Sequence, residues 1–340
     1  MAKKKINGNN IKYYIHQRVP VRELFSEAIE VEPILSIEIQ ENILDELKKI
    51  VTLNPYYVKS FLKKYIEWIE DRRKDCIDEL YEFLCTSDVM DAMELNATEP
   101  DILQYHINGF SSCNDSSFED TTIGVKELPR LISGSNTTGL RTWEASLYLA
   151  NYLNENIYDL ESRTVLELGS GTGLVLLSLI KNYHFLVKNI RQVILTDGSS
   201  ELIENLGTTF DLNNIDQNEK KFPLIRAQQL IWGPPESAEM IPQADYVFGA
   251  DITYDPESFH SLCITLDAFF CKGTKKVVIA ATRRNDITLE LWDKKLDQFF
   301  SQRWRIVDRC PIPHEIECSC WFQKDTPEIR VYEIYNLNSI

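Results

Sequence analysis

The stretch Val165-Leu-Glu-Leu-Gly-Ser-Gly-Thr-Gly-Leu174 decides the fold of this chain. An apolar strand leads into the glycines and an apolar helical segment follows them, so the loop joins a strand to a helix. Gly169 and Gly171 allow the backbone to turn tightly and to approach a ligand, and Gly173 allows close helix packing. The spacing is not the Gly-x-Gly-x-x-Gly of dinucleotide sites, and Glu167 precedes it, which favours a ligand with a cationic group. Without a ligand, the same residues would form only a tight strand-to-helix turn.

Short apolar strands alternate with helical segments after this loop. The predicted strands span residues 164–168, 192–196, 223–227, 246–248, 276–280, 305–307, 318–322 and 330–334. The predicted helices span residues 174–182, 201–212, 256–270 and 287–300. This alternation predicts an α/β fold with a Rossmann-like, mainly parallel sheet. Because no helix separates the last two predicted strands, we expect an antiparallel hairpin at the carboxyl-terminal end of the sheet.

In the first third of the chain, apolar residues follow a different spacing. From Ile39 to about Leu95, apolar residues recur at helical spacing, which predicts amphipathic helices, and Asn54-Pro55 marks a helix start. A polar stretch, residues 108–122, then predicts an exposed linker. We therefore expect a mostly helical amino-terminal region at residues 1–120 and a second domain at residues 121–340.

The charge balance of the chain is acidic. Its 340 residues include 36 basic and 52 acidic ones, for a formal net charge of −16. Such a surface repels phosphates, which disfavours nucleic-acid binding and favours a basic protein partner or a cationic ligand. The content of 44% hydrophobic residues excludes wholesale disorder. Because the start is polar and no apolar run reaches about 18 residues, we expect a cytoplasmic protein without a membrane segment. We also expect a monomer.

Cysteine and histidine patterns predict no metal site. The 8 cysteines form no Cys-x-x-Cys pair, and the 5 histidines are scattered. Cys318 and Cys320, near Cys310 and His314, could be taken for a metal cluster, but their spacing favours two thiols on the same face of a strand. No serine lies in a Gly-x-Ser-x-Gly motif, so the pattern also disfavours a serine hydrolase.

Polar and aromatic residues follow the second and third strands. Asp197 ends the second predicted strand, where a carboxylate can accept both hydroxyls of a ribose. The same carboxylate could cap the helix that begins near Ser199, and the two roles are compatible. Trp232 follows the third strand and could form an aromatic wall for an adenine, although a tryptophan is more often part of a core.

The fourth strand is followed by Asp251 and Tyr254. Open α/β sheets build their active crevice at this edge. A carboxylate and a phenol there could hold a cationic side chain, by charge and by ring stacking. Alternatively, Asp251 could cap the helix that follows.

Taken together, these elements resemble the seven-strand S-adenosylmethionine-dependent methyltransferases, and within them methyltransferase family sixteen, the protein-lysine methyltransferases. The matching elements are Thr138-Gly-Leu-Arg-Thr-Trp143, Glu167-Leu-Gly-Ser-Gly-Thr-Gly173, Asp197, Ile231-Trp-Gly233 and Asp251-Ile-Thr-Tyr254, in that order. The resemblance covers residues 138–337. The helical first third and residues 121–130 also resemble the amino-terminal extension of fungal members that methylate a lysine of eukaryotic elongation factor 2.

The resemblance implies a seven-stranded class I methyltransferase sheet, S-adenosylmethionine as cofactor and elongation factor 2 as protein substrate. Under it, the amino-terminal helices recognise substrate or act as a scaffold. The implied catalytic residues are Asp251 and Tyr254, which would line the lysine channel. The implied cofactor contacts are Trp143, Gly169, Ser170, Gly171, Asp197, Trp232 and Ala250, with Glu167 beside the methionine part.

Three functions stay open at this point. The first is lysine methyl transfer. The second is methylation of RNA, or of another protein residue such as histidine, on the same fold. The net charge of −16 and the absence of an Asn-Pro-Pro-Tyr signature disfavour RNA, since Gly233-Pro-Pro-Glu236 follows a different strand. The third is a non-catalytic adaptor that binds a translation factor, which the joint presence of several cofactor positions disfavours.

Overall fold

The structure is a computed structural model of the chain. It describes residues 6, 8, 10–26, 35–107, 122–131, 137–156, 160–182, 190–216, 222–316 and 318–336. The predicted polar linker, residues 108–122, lies outside the described residues except for Thr122. No helix in these ranges is both long and apolar enough to cross a bilayer.

Helices and strands follow one another in the order expected of an α/β domain behind a helical region. The helices are α1 (Ile11–His16), α2 (Val21–Leu24), α3 (Ile37–Ile50), α4 (Pro55–Asp71), α5 (Asp78–Leu84), α6 (Ser87–Met90), α7 (Glu144–Glu155), α8 (Leu174–Lys181), α9 (Ser200–Leu212), α10 (Pro235–Glu239), α11 (Phe259–Cys271) and α12 (Asp286–Phe300). The strands are β1 (Asp101–His106), β2 (Thr122–Glu127), β3 (Thr164–Leu168), β4 (Gln192–Asp197), β5 (Leu224–Gln229), β6 (Tyr246–Ala250), β7 (Lys276–Thr282), β8 (Trp304–Cys310) and β9 (Ile329–Tyr335).

Seven of these strands form one sheet with the order β5-β4-β3-β6-β7-β9-β8. Strands β3 to β7 are parallel, and β9 lies antiparallel between β7 and β8. The predicted Rossmann-like sheet with its antiparallel carboxyl-terminal hairpin is thereby confirmed. The strand order reverses at β3, which lies between β4 and β6. In open α/β sheets such a switch point leaves a crevice at the carboxyl ends of the strands, where ligands bind.

One predicted strand, residues 318–322, is wrong. The antiparallel hairpin consists of β8 and β9, residues 318–320 form bends, and residues 321–322 have no regular secondary structure. The backbone N–H of Trp321 donates to Gln17 Oε1 at 2.8 Å, and its carbonyl accepts from Gln17 Nε2 at 2.9 Å. A side chain of the amino-terminal region thus satisfies backbone groups that would otherwise pair in a sheet. The alternating sequence pattern of this segment arises because its side chains are buried in two different cores. Cys318 and Cys320 lie in the core under the sheet, and Trp321 lies in the core of the amino-terminal helices.

Helices α1 to α6 enclose a hydrophobic core of their own. The predicted helix start is confirmed, because Asn54 Oδ1 accepts from the N–H of Tyr57 at 2.9 Å and Pro55 is the first helical residue. Trp321 joins this core from the carboxyl-terminal end of the chain, with its ring centroid 5.0 Å from that of Tyr14. The amino-terminal helices are therefore anchored to the α/β part by this tryptophan.

The sequence pattern did not predict the two-stranded antiparallel sheet formed by β1 and β2. Its apolar side chains pack into the core that also holds α8 and α9, and the Asn213 side chain bonds to both the N–H and the carbonyl of Gly124. The domain boundary expected at residue 120 falls between these two paired strands. The division into residues 1–120 and 121–340 itself stays a prediction.

Candidate active site

A cavity of about 690 Å³ opens at the switch point, at the carboxyl ends of β3, β4 and β6. The glycine loop after β3, the turn after β4 and the segments that follow β5 and β6 form its walls, together with the chain that enters α7. The predicted site residues that line it are Trp143, Gly169, Ser170, Gly171, Asp197, Trp232, Ala250, Asp251 and Tyr254. The structure thus brings together every predicted site residue except Glu167.

Glu167 and Ser170 are held beneath the glycine loop. Glu167 is only 2% exposed, and its Oε2 accepts from the N–H of Leu176 in the first turn of α8 at 3.2 Å. Burial raises the pKa of this carboxyl to about 8. The Oγ of Ser170 accepts from the N–H of Thr196 at 3.0 Å and so joins the loop to β4. Both side chains therefore hold the shape of the loop, and Ser170 also reaches the cavity wall.

The glycine loop follows backbone angles that side chains disfavour. Gly169 and Gly171 have φ values of +61° and +51°. A Cβ at Gly169 would lie 2.7 Å from Ile252 Cγ2, and one at Gly171 would lie 3.3 Å from the carbonyl oxygen of Gly139. The loop is consequently packed on its outer side while its inner side faces the cavity. Glycine is required here both for the turn and for the close approach of neighbouring chain segments.

Asp197 lies at the end of β4 and faces the same cavity. Its Oδ2 accepts from the N–H of Gly171 at 3.0 Å, and its Oδ1 accepts from the N–H of Ser199 at 3.0 Å. Ser199, whose Oγ accepts from the N–H of Leu202, is the residue that caps α9. Burial raises the pKa of Asp197, and the two backbone donors act in the opposite direction. The carboxylate thus ties the turn after β4 to the glycine loop, with its polar group at the cavity wall.

Two tryptophans give the cavity aromatic walls. Trp143 Nε1 donates to the carbonyl of Thr138 at 2.9 Å, which fixes the ring. The guanidinium carbons of Arg141 and Arg284 lie 4.5 and 4.7 Å from the centroid of this ring, within the range of cation–π attraction. Trp232 Nε1 is buried and has no hydrogen-bond partner among the described residues. An unpaired buried donor of this kind costs free energy.

Asp251 adopts a left-handed backbone conformation with φ of +51° directly after β6. Its Oδ1 accepts from the N–H of Thr282 at 2.8 Å, and its Oδ2 accepts from Thr282 Oγ1 at 3.0 Å and from the N–H of Ala145 at 3.4 Å. Oδ2 also pairs with Arg284 at 3.2 Å. Burial raises the pKa of this carboxyl, and the charge of Arg284 opposes that rise. Asp251 therefore joins β7 and the start of α7 at the site.

A smaller cavity of about 170 Å³ adjoins the large one. Its walls are formed by Thr138, Trp143, Asp251, Tyr254 and Arg284, and all of these except Arg284 also line the large cavity. Tyr254 is 58% exposed at this position, and its hydroxyl accepts from Thr138 Oγ1 at 3.4 Å. The two predicted catalytic residues thus lie on the wall shared by a large cavity and a narrow one.

Sequence reasoning missed Arg284 and Glu144. Arg284 follows β7, the strand next to β6, and its guanidinium lies 2.5 Å from Glu144 Oε2. The rule that crevices form at the carboxyl ends of parallel strands could have pointed to Arg284. No comparable signal pointed to Glu144, because its position depends on how α7 packs on the sheet.

The large cavity fits S-adenosylmethionine, the cofactor that the resemblance implies. The backbone of Gly169 and Gly171 lines its wall, Asp197 presents a carboxylate to it, and Trp232 contributes an unpaired buried N–H. The described residues contain no group of three or more His, Cys, Asp or Glu side chains placed to hold a metal ion.

Comparison with known proteins agrees with this geometry. Residues 126–302 match a family model described as lysine methyltransferase. Protein-lysine N-methyltransferase EFM3 of Saccharomyces cerevisiae is 30% identical over 309 residues, which cover 84% of this chain and 85% of the yeast protein. EFM3 of Chaetomium thermophilum is 29% identical, over 87% of this chain and 89% of that protein. Human protein-lysine N-methyltransferase EEF2KMT is 31% identical, over 74% of this chain and 73% of the human protein.

The family model covers more than half of the chain, and the yeast relative extends the likeness well beyond it. A lysine methyltransferase needs a methyl donor, and the large cavity is shaped for one. The chain belongs to the lysine methyltransferase family and is an S-adenosylmethionine-dependent protein-lysine N-methyltransferase.

Proposed function

We propose that this enzyme methylates a lysine of elongation factor 2. The observation that carries the proposal is the pair of adjoining cavities, with Asp251 and Tyr254 on their shared wall. A narrow cavity of about 170 Å³ suits a single extended side chain such as lysine better than a nucleobase with its ribose. The likeness to EFM3 over 84% of the chain supports a protein lysine as substrate, and the resemblance of the helical first third to elongation factor 2 methyltransferases supports the particular protein.

In this proposal the large cavity holds the cofactor. Asp197 receives the ribose hydroxyls, Trp232 forms the wall beside the adenine, and the backbone at Gly169 and Gly171 lies against the methionine part. Trp143, Ser170 and Ala250 complete the contacts. Glu167 takes part by holding the start of α8 and the glycine loop in place, since its carboxylate is committed to the N–H of Leu176.

Bound S-adenosylmethionine supplies a methyl group that its sulfonium already activates. The residues of the chain have to align an uncharged amine with that methyl group and to exclude water. In the smaller cavity, the ring and hydroxyl of Tyr254 orient the lysine side chain. Asp251 fixes the wall on which the amine lies, by joining β7 and α7. Neither residue has to be a strong base, because the proton of the lysine can leave to water.

The helical region, residues 1–120, is assigned to substrate recognition in this proposal, and the protein is assigned to the cytoplasm, where elongation factor 2 acts. The anchoring of α1 to residues 318–322 supports a fixed placement of these helices on the α/β part. A rigid platform beside the crevice would allow a folded substrate to be recognised by more than its target lysine.

The test is methyl transfer to purified elongation factor 2 with isotope-labelled S-adenosylmethionine, followed by mass spectrometry of the peptides. We expect label on a lysine of elongation factor 2. The same reaction in a cell lysate, with and without ribonuclease, separates the alternatives. Label on other proteins but not on elongation factor 2 would refute the substrate, and label lost on ribonuclease treatment would point to RNA.

A further inference from the structure

Arg284 lies where the target lysine would enter. Its guanidinium lines the smaller cavity, 3.2 Å from Asp251 Oδ2 and 2.5 Å from Glu144 Oε2, and rests against the ring of Trp143. It is the residue that distinguishes the walls of the small cavity from those of the large one. A fixed positive charge therefore lies beside the proposed path of a substrate that is itself a cation.

The charges around this cavity balance. Two carboxylates, Glu144 at the start of α7 and Asp251 after β6, face two guanidiniums, Arg284 after β7 and Arg141 before α7. Arg141 lies 3.9 Å from Glu144 Oε1. The uncharged Thr138, Trp143 and Tyr254 complete the wall. Among the described residues that line this cavity, an entering lysine ammonium consequently meets no uncompensated negative charge that would hold it in its charged form.

Asp251 also has little capacity left for another donor. Thr282 occupies Oδ1 through its backbone N–H, and Oδ2 is approached by Thr282 Oγ1, Arg284 and the N–H of Ala145. A carboxylate oxygen has about two lone-pair sites, and three donors already address Oδ2. A lysine ammonium would have to displace Arg284 to pair with Asp251 Oδ2, whereas an uncharged amine needs no such partner.

We propose that Arg284 lowers the pKa of the substrate lysine in the smaller cavity and so raises the fraction of reactive, uncharged amine. The step concerned is transfer of one proton from the lysine ammonium to water, which leaves a free lone pair on Nζ. A like charge within about 4–6 Å disfavours the charged form of an amine by one or more pKa units. A free lysine, with a pKa near 10.4, is almost wholly protonated at pH 7, so this effect acts directly on rate. The inference rests on the proposed role of the smaller cavity as the lysine channel. Arg284 is a positioning residue in the sense that it acts through the protonation state of the substrate lysine.

The first test is the pH profile of kcat at saturating elongation factor 2, since kcat reports ionisations in the enzyme–substrate complex. Arg284→Gln should move the rising limb of the profile about one pH unit higher. Its rate at pH 8 should be about tenfold lower than that of the wild type, and the deficit should shrink as the pH rises. Arg284→Lys keeps the positive charge and should retain most of the wild-type profile. A merely structural role would instead lower the rate by the same factor at every pH.

Arg283→Gln is the matched control. Arg283 precedes Arg284 at the same strand end, has a similar side-chain exposure of 38% against 39%, and pairs with Asp286 and Glu328, away from the cavity. Its profile should overlay that of the wild type. An unshifted profile for Arg284→Gln, or an equal shift for Arg284→Lys, would overturn the inference.

A second measurement does not depend on elongation factor 2 or on turnover. Binding of n-butylamine, a lysine side-chain analogue, is measured by calorimetry at pH 8 in two buffers of different ionisation enthalpy, with S-adenosylhomocysteine present. The wild type should release more protons per amine bound than Arg284→Gln does. Equal proton release would overturn the inference. If the wild type fails to methylate elongation factor 2, the proposal that this protein is the substrate is refuted. The amine measurement still decides the role of Arg284.

Discussion

Asp197 joins two loops and faces the cavity, so its replacement should affect the cofactor before it affects anything else. In Asp197→Ala the N–H groups of Gly171 and Ser199 lose their acceptor, and in the proposed binding mode the ribose loses its partner. Hydrogen bonds to a charged group contribute about 1.5–3 kcal/mol each, which corresponds to a loss of cofactor affinity of roughly 10-fold to 100-fold. Calorimetric titration with S-adenosylhomocysteine measures this. Asp211→Ala, on the exposed side of α9, should bind as the wild type does; unchanged affinity in Asp197→Ala would refute the assignment.

Asp251 calls for a more careful substitution, because its side chain is structural and its backbone is left-handed. Asn tolerates this conformation and can still accept from Thr282, whereas Ala would add backbone strain. We expect Asp251→Asn to lower kcat at least 100-fold, since an amide NH2 cannot accept from Thr282 Oγ1, Ala145 and Arg284 and the wall that positions the amine shifts, while cofactor affinity changes less than threefold. Single-turnover kinetics and calorimetry measure the two effects. Asp255→Asn is the control, because Asp255 is an exposed neighbour whose side chain, among the described contacts, bonds only the N–H of Glu257. Wild-type kcat in Asp251→Asn would contradict this role.

Three of the residues that the sequence identified share a position at the carboxyl end of a strand. Gly169 and Asp251 follow β3 and β6, Asp197 is the last residue of β4, and hydrophobic patterning is enough to place them at one edge of the sheet. The orientation of Glu167 was not predictable in this way, because every residue of β3 is buried and no polar face distinguishes its two sides. Arg284 was not predicted as a site residue, because its partners Glu144 and Asp251 are distant in sequence and contact it only in the folded chain.

At the scale of elements, the segment 318–322 shows how an alternating pattern can mislead. Alternation indicates two different environments for odd and even residues, and a strand in a sheet is the usual cause. Here the two environments are the core beneath the sheet and the core of the amino-terminal helices. The pattern of the segment was informative about burial, but its backbone partners lie about 300 residues away, at Gln17. The pairing of β1 with β2 was missed for a similar reason, since the polar stretch between them gave no register.

This segment should carry much of the coupling between the helices and the α/β part. Trp321 is buried, and its Nε1 donates to Glu23 Oε2 at 3.0 Å. Trp321→Ala should lower the free energy of unfolding by about 3–5 kcal/mol, as large-to-small changes of buried aromatic residues do. Gln17→Ala, which removes two bonds to the Trp321 backbone, should lower it by about 1–3 kcal/mol. Urea denaturation followed by circular dichroism measures both.

The matched control for Gln17→Ala is Gln323→Ala, which removes an exposed amide from the same segment. Its stability should stay within about 0.5 kcal/mol of the wild type. A Gln17→Ala variant as stable as Gln323→Ala would show that the helices are held to the α/β part without this contact.

At the scale of the whole molecule, buried glutamate side chains influence how the free energy of unfolding depends on pH. Burial raises the pKa of Glu127 to about 7 and that of Glu167 to about 8, from a usual value of 4.5. The folded state therefore binds more protons than the unfolded state between pH 4.5 and about 8, so the free energy of unfolding falls as the pH rises through that interval. Glu46 acts in the other direction, because its bond with His16 lowers its pKa to about 2, but that effect is confined to pH values below 4.5.

Glu167→Gln removes one titrating group and keeps an oxygen that can accept from the N–H of Leu176. A neutral amide does not ionise, so the variant has no buried charge at any pH. Its free energy of unfolding should equal that of the wild type near pH 5 and exceed it at pH 8.5, by on the order of 2 kcal/mol. Urea titrations at several pH values between 5 and 8.5 measure the difference. Glu204→Gln, an exposed acid on α9, should follow the wild-type curve throughout. A Glu167→Gln curve parallel to that of the wild type would mean that Glu167 is ionised in both states, and the net charge of −16 would then include a carboxylate buried beneath the glycine loop.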